Sequence, residues 1–354
     1  MLKYRTRLKV GVFLGLILLS GSLSFASQPV PEKRPVRFGA WVTYWDFAAG
    51  VEAVIQNPSV FKDVYFFSTV LAPDGKPIMY NPDLPYASVV ATLKAEGIRT
   101  WLTVVNDVVK PNRRNSKLKD PDLIHSILQD DKRRALHRQA LIRLTLQYGF
   151  DGIDVDYENL HAKDKEIYTQ FIRELNDDMK QHGLKLSVTV QPKDREKKSR
   201  GPGATDWQAL CNYTDQVQIM LYNLHNRKTG PGPMATIPWM NSIMNFGLTK
   251  CSIDKLVPVL KVSGMRWSEN RCEGLQYKDI LPLITAHTDI VQRTNEEIPY
   301  LKYTENGNNY TIYYEDTKSL IEKILALRAR GYHRVTFWSL GRHDFSLHEA
   351  LRNQ

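Results

Sequence analysis

The chain has 354 residues and a formal net charge of +10, from 48 lysine or arginine and 38 aspartate or glutamate side chains. This balance would suit a nucleic-acid binder, but the basic residues are mixed with acids and form no run with interleaved aromatics. We therefore expect no nucleic-acid partner. The length suits one α/β barrel with an insertion better than two ordinary domains.

The first 26 residues have the pattern of a secretory signal peptide. Four positive charges come first: Lys3, Arg5, Arg7 and Lys9. An apolar stretch over 10–23 follows, with small residues around Ala26. The alternative is a retained anchor, but a spanning helix needs roughly 20 uninterrupted apolar residues, and glycine and serine interrupt this stretch. We predict cleavage near Ala26, which leaves 27–354 without a stable membrane anchor and in a secreted, periplasmic or cell-wall location.

Eight apolar, β-branched or aromatic stretches recur along the rest of the chain. They span 38–45, 64–70, 100–105, 152–157, 185–190, 216–222, 255–262 and 334–340. Helical periodicity separates several of them, most clearly over 130–148 and 165–182. Strands that alternate with helices indicate a parallel sheet, and the absence of a glycine-rich phosphate loop after the first stretch disfavours an open doubly wound sheet. The predicted fold is a (β/α)8 TIM barrel, an α/β fold whose functional residues lie at the carboxyl ends of the strands.

The seventh and eighth stretches are too far apart for a loop and one helix. Within that interval, Asn-Gly-Asn-Asn at 306–309 indicates a turn between strand-like segments at 300–303 and 310–314. Residues 316–330 then have the pattern of the last crossover helix. We therefore predict a small α+β insertion over about 265–315.

Three carboxylates alternate along the fourth stretch, at Asp154, Asp156 and Glu158. A period of two places them on one face of a strand, and in a barrel that face points inward. Like charges in a poorly hydrated interior disfavour joint ionisation, so one of these groups can keep its proton near neutral pH. A metal site and a solvated acidic edge are the alternatives, but no histidine or cysteine joins the row and apolar residues alternate with it. We predict a catalytic acid row with Glu158, nearest the rim, as the proton donor.

The acidic stretch resembles a known signature. Asp151, Asp154, Asp156 and Glu158 fit the pattern D-x-x-D-x-D-x-E of glycoside hydrolase family 18, which includes chitinases and endo-β-N-acetylglucosaminidases. Three further stretches resemble the family's first, sixth and eighth strands: 39–45, 218–222 and 337–341. The resemblance covers nearly all of 27–354, which it implies to be one catalytic barrel.

The resemblance implies a retaining, substrate-assisted mechanism that needs no cofactor and no metal. Glu158 would protonate the glycosidic oxygen while the substrate's own acetamido group attacks the anomeric carbon. Asp156 would orient that group, and Asp154 would hold Asp156. Tyr222 would donate its hydroxyl to the acetamido oxygen, although it also fits an ordinary core tyrosine.

Other residues are predicted to bind sugar or to support the motif. Trp338 would form the floor under the sugar, because an indole face stacks on a pyranose; a barrel-core tryptophan is the alternative. Tyr44 and Trp45 end the first stretch and are as compatible with packing as with sugar binding. Two further substrate-binding candidates lie close to Tyr222 in the sequence: Met220 and Asn223. Two residues of the motif are predicted to be structural: Asp151 and Gly152.

The predicted partner is a polysaccharide that contains N-acetylglucosamine, either peptidoglycan or chitin. The third stretch lacks the S-x-G-G of many chitinases, Asn223 stands where they often have aspartate, and 313–341 looks more like the peptidoglycan-cleaving, spore-cortex branch. Two loops predicted at the rim are basic, which favours an anionic polymer unless they are merely solvated. Their basic residues are Lys110, Arg113, Arg114, Lys117, Lys119, Lys193, Arg195, Lys197, Lys198 and Arg200.

Two other functions share much of this pattern. An inactive, lectin-like member would bind carbohydrate but usually lacks the acid, and an endoglycosidase of protein N-glycans would have the same acid row. We expect a monomer. The three cysteines, Cys211, Cys251 and Cys272, are too few for a disulfide scaffold. A bridge between Cys251 and Cys272 is the pairing that we considered.

Overall fold

The computed structural model describes residues 35–110, 116–269 and 271–354. The predicted signal peptide lies outside these residues. The described strands are β1 (Arg37–Thr43), β2 (Phe61–Leu71), β3 (Pro77–Met79), β4 (Arg99–Val108), β5 (Gly152–Asp156), β6 (Lys185–Val190), β7 (Gln216–Met220), β8 (Leu256–Lys261), β9 (Ser263–Trp267), β10 (Cys272–Gln276), β11 (Gln292–Arg293), β12 (Pro299–Glu305), β13 (Asn308–Tyr314) and β14 (Arg334–Trp338). The described α-helices are α1 (Phe47–Ile55), α2 (Tyr86–Ala95), α3 (Pro121–Gln129), α4 (Asp131–Tyr148), α5 (Lys165–Lys180), α6 (Trp207–Tyr213), α7 (Ile237–Leu248), α8 (Tyr277–Ala286), α9 (Thr317–Ala329) and α10 (Leu347–Arg352).

Eight parallel strands close into a barrel. Their order around it is β1, β2, β4, β5, β6, β7, β8 and β14, and β14 pairs with β1 to complete the circle. The short strand β3 runs antiparallel to β2 and lies outside the circle. Each barrel strand overlaps one of the eight predicted stretches, so the prediction of a (β/α)8 TIM barrel with an insertion is confirmed.

Local signals determine where the helices begin and end. The side chain of Asp130 accepts a hydrogen bond from the backbone N–H of Arg133 at the start of α4, and Gly149 ends that helix with a φ of 76°. Asp316 and Ser319 cap the start of α9 through reciprocal hydrogen bonds. Both helices lie where the sequence periodicity predicts them. None of the described helices combines the length and the apolar character that crossing a membrane requires.

The interior of the barrel is filled by large side chains. The interior cluster there includes Trp41, Tyr65 and Trp101. Gly152 faces this cluster at the start of β5, and a Cβ on it would lie 2.3 Å from the carbonyl oxygen of Lys185 and 2.8 Å from the ring of Trp101. The close approach explains a glycine at this position of the motif.

The insertion between β8 and β14 forms its own antiparallel sheet. Its strand order is β10, β9, β13, β12, β11. Asn306 and Gly307, with φ of 50° and 76°, form the two-residue turn between β12 and β13, as a hairpin turn of this twist requires. The buried core between this sheet and α8 contains Ile280, Leu301, Ile312 and Tyr314.

The cysteine pairing that the sequence left open is Cys211 with Cys251, and the possible bridge between Cys251 and Cys272 does not form. Cys211 in α6 forms a disulfide with Cys251, which follows α7, and their Cα atoms lie 5.6 Å apart. Cys272 lies in β10 of the insertion and is a free thiol. Spacing along the chain favours the two nearer cysteines, whereas the pairing depends on how the barrel places α6 beside the end of α7.

Candidate active site

The acid row lies on the inner face of β5 and continues past its carboxyl end. Asp154 lies in register with Thr103 of β4 and with Ser187 of β6. Asp154 is fully buried, Asp156 is 6% exposed, and the side chain of Glu158 is 14% exposed. Exposure therefore rises from the barrel interior to the rim, in the order that the period of two predicts.

Asp154 is held by hydroxyl groups from the neighbouring strands. Its carboxyl accepts hydrogen bonds from Thr103 at 3.2 Å and from Thr189 at 3.0 Å, and the amide of Gln218 lies at 3.5 Å. Burial raises the pKa of Asp154 to about 6 even though these hydrogen bonds act in the opposite direction. The group therefore changes its protonation state just below neutral pH.

Asp156 is the most strongly perturbed member of the row. Burial raises its pKa well above the usual range, and the negative charges of Glu158 and Asp154 add to the effect. Its Oδ1 atom is buried and has no hydrogen-bond partner among the described residues. Buried polar atoms in proteins are nearly always satisfied, so this one indicates a place for a bound ligand.

Glu158 is positioned by a residue of the neighbouring strand. The side chain of Asn106 in β4 accepts a hydrogen bond from the backbone N–H of Glu158 and donates one to its carbonyl oxygen, each at 2.9 Å. The amide of Gln191 donates to the Glu158 carboxylate at 3.3 Å. The ammonium of Lys119 forms an ion pair with the same carboxylate. The carboxyl therefore lies at the rim with a fixed backbone and two polar neighbours.

Tyr222 lies next to this row, two residues beyond the end of β7. It is partly buried, and its hydroxyl has no hydrogen-bond partner among the described residues. Burial raises the pKa of Tyr222 well above its usual value, and the charges of Asp156, Glu158 and Asp154 raise it further. Tyr222 therefore keeps its hydroxyl proton and can donate a hydrogen bond. Its hydroxyl is close enough to the three carboxyl groups to feel their charge.

Aromatic rings form one wall of the barrel mouth, here called the aromatic wall: Tyr44, Trp45, Phe67 and Trp338. Trp338 ends β14, and its ring centroid lies 4.9 Å from that of Phe67 and 6.4 Å from that of Trp45. Tyr44 and Trp45 are in edge contact at 4.6 Å. Trp45 is 44% exposed, so the wall leads from the barrel interior into solvent.

Comparison with known proteins identifies the family of this barrel. The model of "Glycosyl hydrolases family 18" matches residues 119–343, which include the acid row, Tyr222 and Trp338. The chain belongs to glycosyl hydrolase family 18. Family membership supports a glycosidase activity, and it confirms the resemblance seen in the sequence.

Individual relatives of this family 18 chain include bacterial lytic enzymes and chitinases. The cortical fragment-lytic enzyme of Bacillus subtilis (strain 168) is 25% identical over 241 residues, which are 65% of this chain and 55% of that enzyme. The solved spore cortex-lytic enzyme SleL of Bacillus cereus aligns with a TM-score of 0.78 at 20% identity, covering 91% of this chain and 74% of that one. The chitinase of Chromobacterium violaceum ATCC 12472 has a TM-score of 0.79 at 21% identity, covering 90% and 98%. These structural likenesses show a shared fold.

The remaining residues singled out in the sequence lie in different places. Met220 is buried at the end of β7, on the inner face that also carries Gln218. Asn223 is exposed and has a φ of 65° in the loop beyond. Asp151 lies at the amino end of the barrel, where it pairs with Lys94 at 2.8 Å and accepts a hydrogen bond from the backbone N–H of Thr100. The structure thus places Met220 on the inner face of the barrel at the end of β7 and Asp151 at the opposite end of the barrel.

Several described basic side chains in the two loops of this family 18 chain have carboxylate partners within the same loop. Lys117 pairs with Asp120 and Asp122. Lys193 is a buried side chain whose ammonium donates to the carbonyl oxygen of Thr205, so its assignment to a basic surface is wrong. Arg113 and Arg114 lie outside the described residues. Within the described part, Lys119 is the loop lysine that contacts the acid row.

Three residues beside the site have no role that follows from the sequence pattern: Asn106, Gln191 and Lys261. Asn106 and Gln191 contact Glu158, as described above. Lys261 ends β8, in phase with the buried Val259. An ionisable residue at the carboxyl end of a barrel strand is the signal that could have drawn attention to it. Among the described residues, no cluster of histidine, cysteine, aspartate and glutamate side chains is placed to hold a metal ion.

The buried charge of Asp154 predicts a stability that depends on pH. Because its pKa rises from 3.8 to about 6 on folding, the fold favours the protonated form and loses stability as pH rises through this window. The shift corresponds to about 3 kcal/mol at high pH. Asp154→Asn stays neutral, and its amide oxygen can accept hydrogen bonds on one side while its amide nitrogen donates to a neighbouring hydroxyl on the other. We expect urea unfolding to show it about 1–3 kcal/mol more stable than the wild type at about pH 8, with a smaller gain at about pH 4.5. An equal difference at both pH values would contradict this origin.

Proposed function

We propose that this protein is a secreted, retaining glycoside hydrolase that cleaves β-linked polymers of N-acetylglucosamine by substrate-assisted catalysis, and that its polymer is peptidoglycan. The observation that carries the proposal is a pair of unsatisfied polar groups beside Glu158. The buried Oδ1 of Asp156 and the hydroxyl of Tyr222 both lack a partner among the described residues. An acetamido group offers the N–H and the carbonyl oxygen that would satisfy them.

In the proposed reaction, the carboxyl of Glu158 gives its proton to the glycosidic oxygen as the bond to the anomeric carbon breaks. The acetamido oxygen of the same sugar attacks that carbon and forms a bicyclic oxazolinium ion. Asp156 accepts the acetamido N–H, and Tyr222 donates to the acetamido oxygen, so both contacts strengthen as positive charge develops. Glu158 then removes a proton from the water that opens the ring. The anomeric carbon is inverted once in each of the two steps, so the product retains the configuration of the substrate.

The aromatic wall supports a carbohydrate substrate. Trp338 closes the inner end of the wall and Trp45 its exposed end, so a chain of sugars can stack along it. A lectin would use the same wall, but it would have no use for a proton donor or for the costly burial of Asp154 and Asp156. This comparison favours an enzyme.

Three features support an exported enzyme that acts on the cell wall. The predicted leader directs export, and disulfides such as Cys211–Cys251 persist in oxidising compartments. The first relative is named for the lysis of cortical fragments, although the match spans 55% of its length. Periplasmic or wall-associated peptidoglycan is therefore our proposed substrate.

Product analysis tests this proposal. The protein lacking residues 1–26 should release fragments with N-acetylglucosamine at the reducing end from purified peptidoglycan, with retained anomeric configuration by proton NMR at early times. Chitin oligosaccharides should remain largely intact in parallel reactions. Cleavage of chitin alone would identify a chitinase, and binding without cleavage of either polymer would indicate a lectin.

A further inference from the structure

At the mouth of the barrel lies a lysine that has no counter-ion among the residues that the structure describes. Lys261 is the last residue of β8 and pairs in register with Trp338 of β14. Val259, two residues earlier, packs in the interior cluster that Trp338 and Tyr222 also contact. Strand residues two apart share a face, so Lys261 projects from the inner face of the barrel at its rim.

Nothing in the described protein neutralises this lysine. Lys261 is partly buried, and within residues 35–110, 116–269 and 271–354 no carboxylate or hydrogen-bond acceptor contacts its ammonium. Burial lowers the pKa of Lys261 to about 8; the thiol of Cys272 opposes this shift, and the positive charge of Lys119 adds to it. By contrast, the buried Lys323 pairs with Glu315 at 2.6 Å. An unpaired, partly buried ammonium lowers the stability of the fold, so binding of an anion would explain its presence.

Lys119 extends the positive charge to the proton donor. Burial opposes its charged form, but the carboxylate of Glu158 raises the pKa of Lys119 above its usual value. Its ammonium pairs with Glu158, and its charge also acts on Lys261. The charge of Lys261 in turn acts on the thiol of Cys272 in the insertion. A line of positive charge therefore runs from Glu158 towards β10.

A cavity of about 470 Å³ lies where this line reaches the insertion. Arg227 in the loop after β7 and Arg271 beside β10 line it, together with the indole of Trp267 and one carboxylate, Glu269. Arg227 acts on the thiol of Cys272, as Lys261 does. The volume is within the range of ligand pockets, and its two arginines continue the positive charge.

We propose that Lys261 and Lys119 form an anion-binding subsite for the carboxylate of an acidic amino sugar that adjoins the cleaved N-acetylglucosamine. The inference rests on the proposed function and names the residues that would make the enzyme prefer an acidic glycan. In peptidoglycan, every second sugar carries a lactyl ether next to the glycosidic oxygen, and its carboxyl is a free carboxylate wherever no stem peptide is attached, whereas chitin has no charged group. Such a carboxylate would give Lys261 its missing counter-ion. It would also draw Lys119 away from Glu158, whose carboxyl must carry the proton.

The test compares Lys261→Met with Lys261→Arg and with Lys302→Met, a matched control on the exposed face of β12. The substrates are peptide-free glycan strands with free lactyl carboxylates, the same strands after conversion of the carboxylates to amides, and chitin oligosaccharides. We expect Lys261→Met to lower kcat/KM on the acidic strands by about 10- to 100-fold, the usual effect of losing a charged hydrogen bond. On the amidated strands kcat/KM should change less than about threefold, and chitin oligosaccharides should remain largely intact with every variant. Lys261→Arg should retain most of the activity.

Binding separates this inference from the proposed function. In a Glu158→Gln background, which should bind without cutting, calorimetry should show that Lys261→Met weakens binding of the acidic strands and leaves the amidated strands unchanged. Equal effects on both strands, or no effect on either, would overturn the subsite. Failure of the wild-type protein to hydrolyse any strand would instead contradict the proposed function, and the binding difference would still decide the subsite.

The free thiol of Cys272 offers a readout that requires no glycan. Its alkylation by anionic iodoacetate, relative to neutral iodoacetamide, reports the positive potential that Lys261 creates there. Lys261→Met should lower this ratio about threefold at low ionic strength, as Coulomb interaction over several ångströms in water predicts. Lys302→Met should leave it unchanged. A ratio that does not respond to Lys261→Met would contradict the uncompensated positive charge on which the subsite depends.

Discussion

Glu158→Gln is expected to lower kcat by about 10²- to 10⁴-fold, because the amide cannot give a proton to the leaving oxygen or take one from water. The substitution keeps the size of the side chain and leaves the backbone hydrogen bonds to Asn106 in place. Oligosaccharide binding should therefore persist. Steady-state kinetics on a chromogenic N-acetylglucosaminide measure kcat. A thermal unfolding curve of each variant shows whether the fold is intact.

A matched variant controls for the loss of one negative charge. Glu322→Gln removes an exposed carboxylate from α9, far along the chain from the acid row, and should leave kcat unchanged. Wild-type activity in Glu158→Gln would refute the assignment of the proton donor. A comparable loss in Glu322→Gln would mean that the assay responds to overall charge.

Asp156→Ala is expected to lower kcat by about 10²- to 10³-fold, the usual effect of removing one preorganised group that stabilises a transition state. The buried carboxylate is the proposed acceptor for the acetamido N–H, and alanine leaves that N–H without a partner. A stable thiazoline analogue of the oxazolinium ion provides the specific readout. Its affinity should fall by a factor similar to that in kcat/KM, while the affinity for a chitin disaccharide changes little.

This prediction distinguishes a catalytic role from a structural one. Burial and the neighbouring acids raise the pKa of Asp156 well above its usual range, so its ionised form destabilises the fold and the alanine variant should unfold no more easily than the wild type near neutral pH. A large loss of stability, or equal weakening of the thiazoline and the disaccharide, would indicate that Asp156 merely shapes the barrel.

The barrel and the acid row could be predicted because both follow from local periodicity. Alternation alone places Asp154, Asp156 and Glu158 on one face, whatever surrounds the strand. The turn at Asn306 and Gly307 is similarly local, since both residues tolerate the positive φ that the hairpin requires. In each case, the residues that determine the local structure are only a few positions apart in the chain.

The partners of these residues could not be predicted, because they come from distant segments. Asn106 is 52 residues from Glu158 in sequence, and an asparagine at the end of a strand has no distinctive pattern. Lys193 was assigned to a basic surface, whereas the fold buries it near the rings of Trp207 and Phe246. Lys261 ends an apolar strand, and only the folded arrangement shows that no described carboxylate pairs with it.

The two hydrogen bonds between Asn106 and Glu158 have a consequence for how such enzymes can diversify. They fasten the backbone of the proton donor to β4, and the amide that contacts its carboxylate comes from Gln191, directly after β6, so none of these contacts involves the insertion between β8 and β14. The insertion is therefore free to lengthen, shorten or be exchanged while the proton donor stays in place. The barrel keeps the catalytic residues in place, so grafting an insertion from one relative onto another is a route to a new glycan specificity.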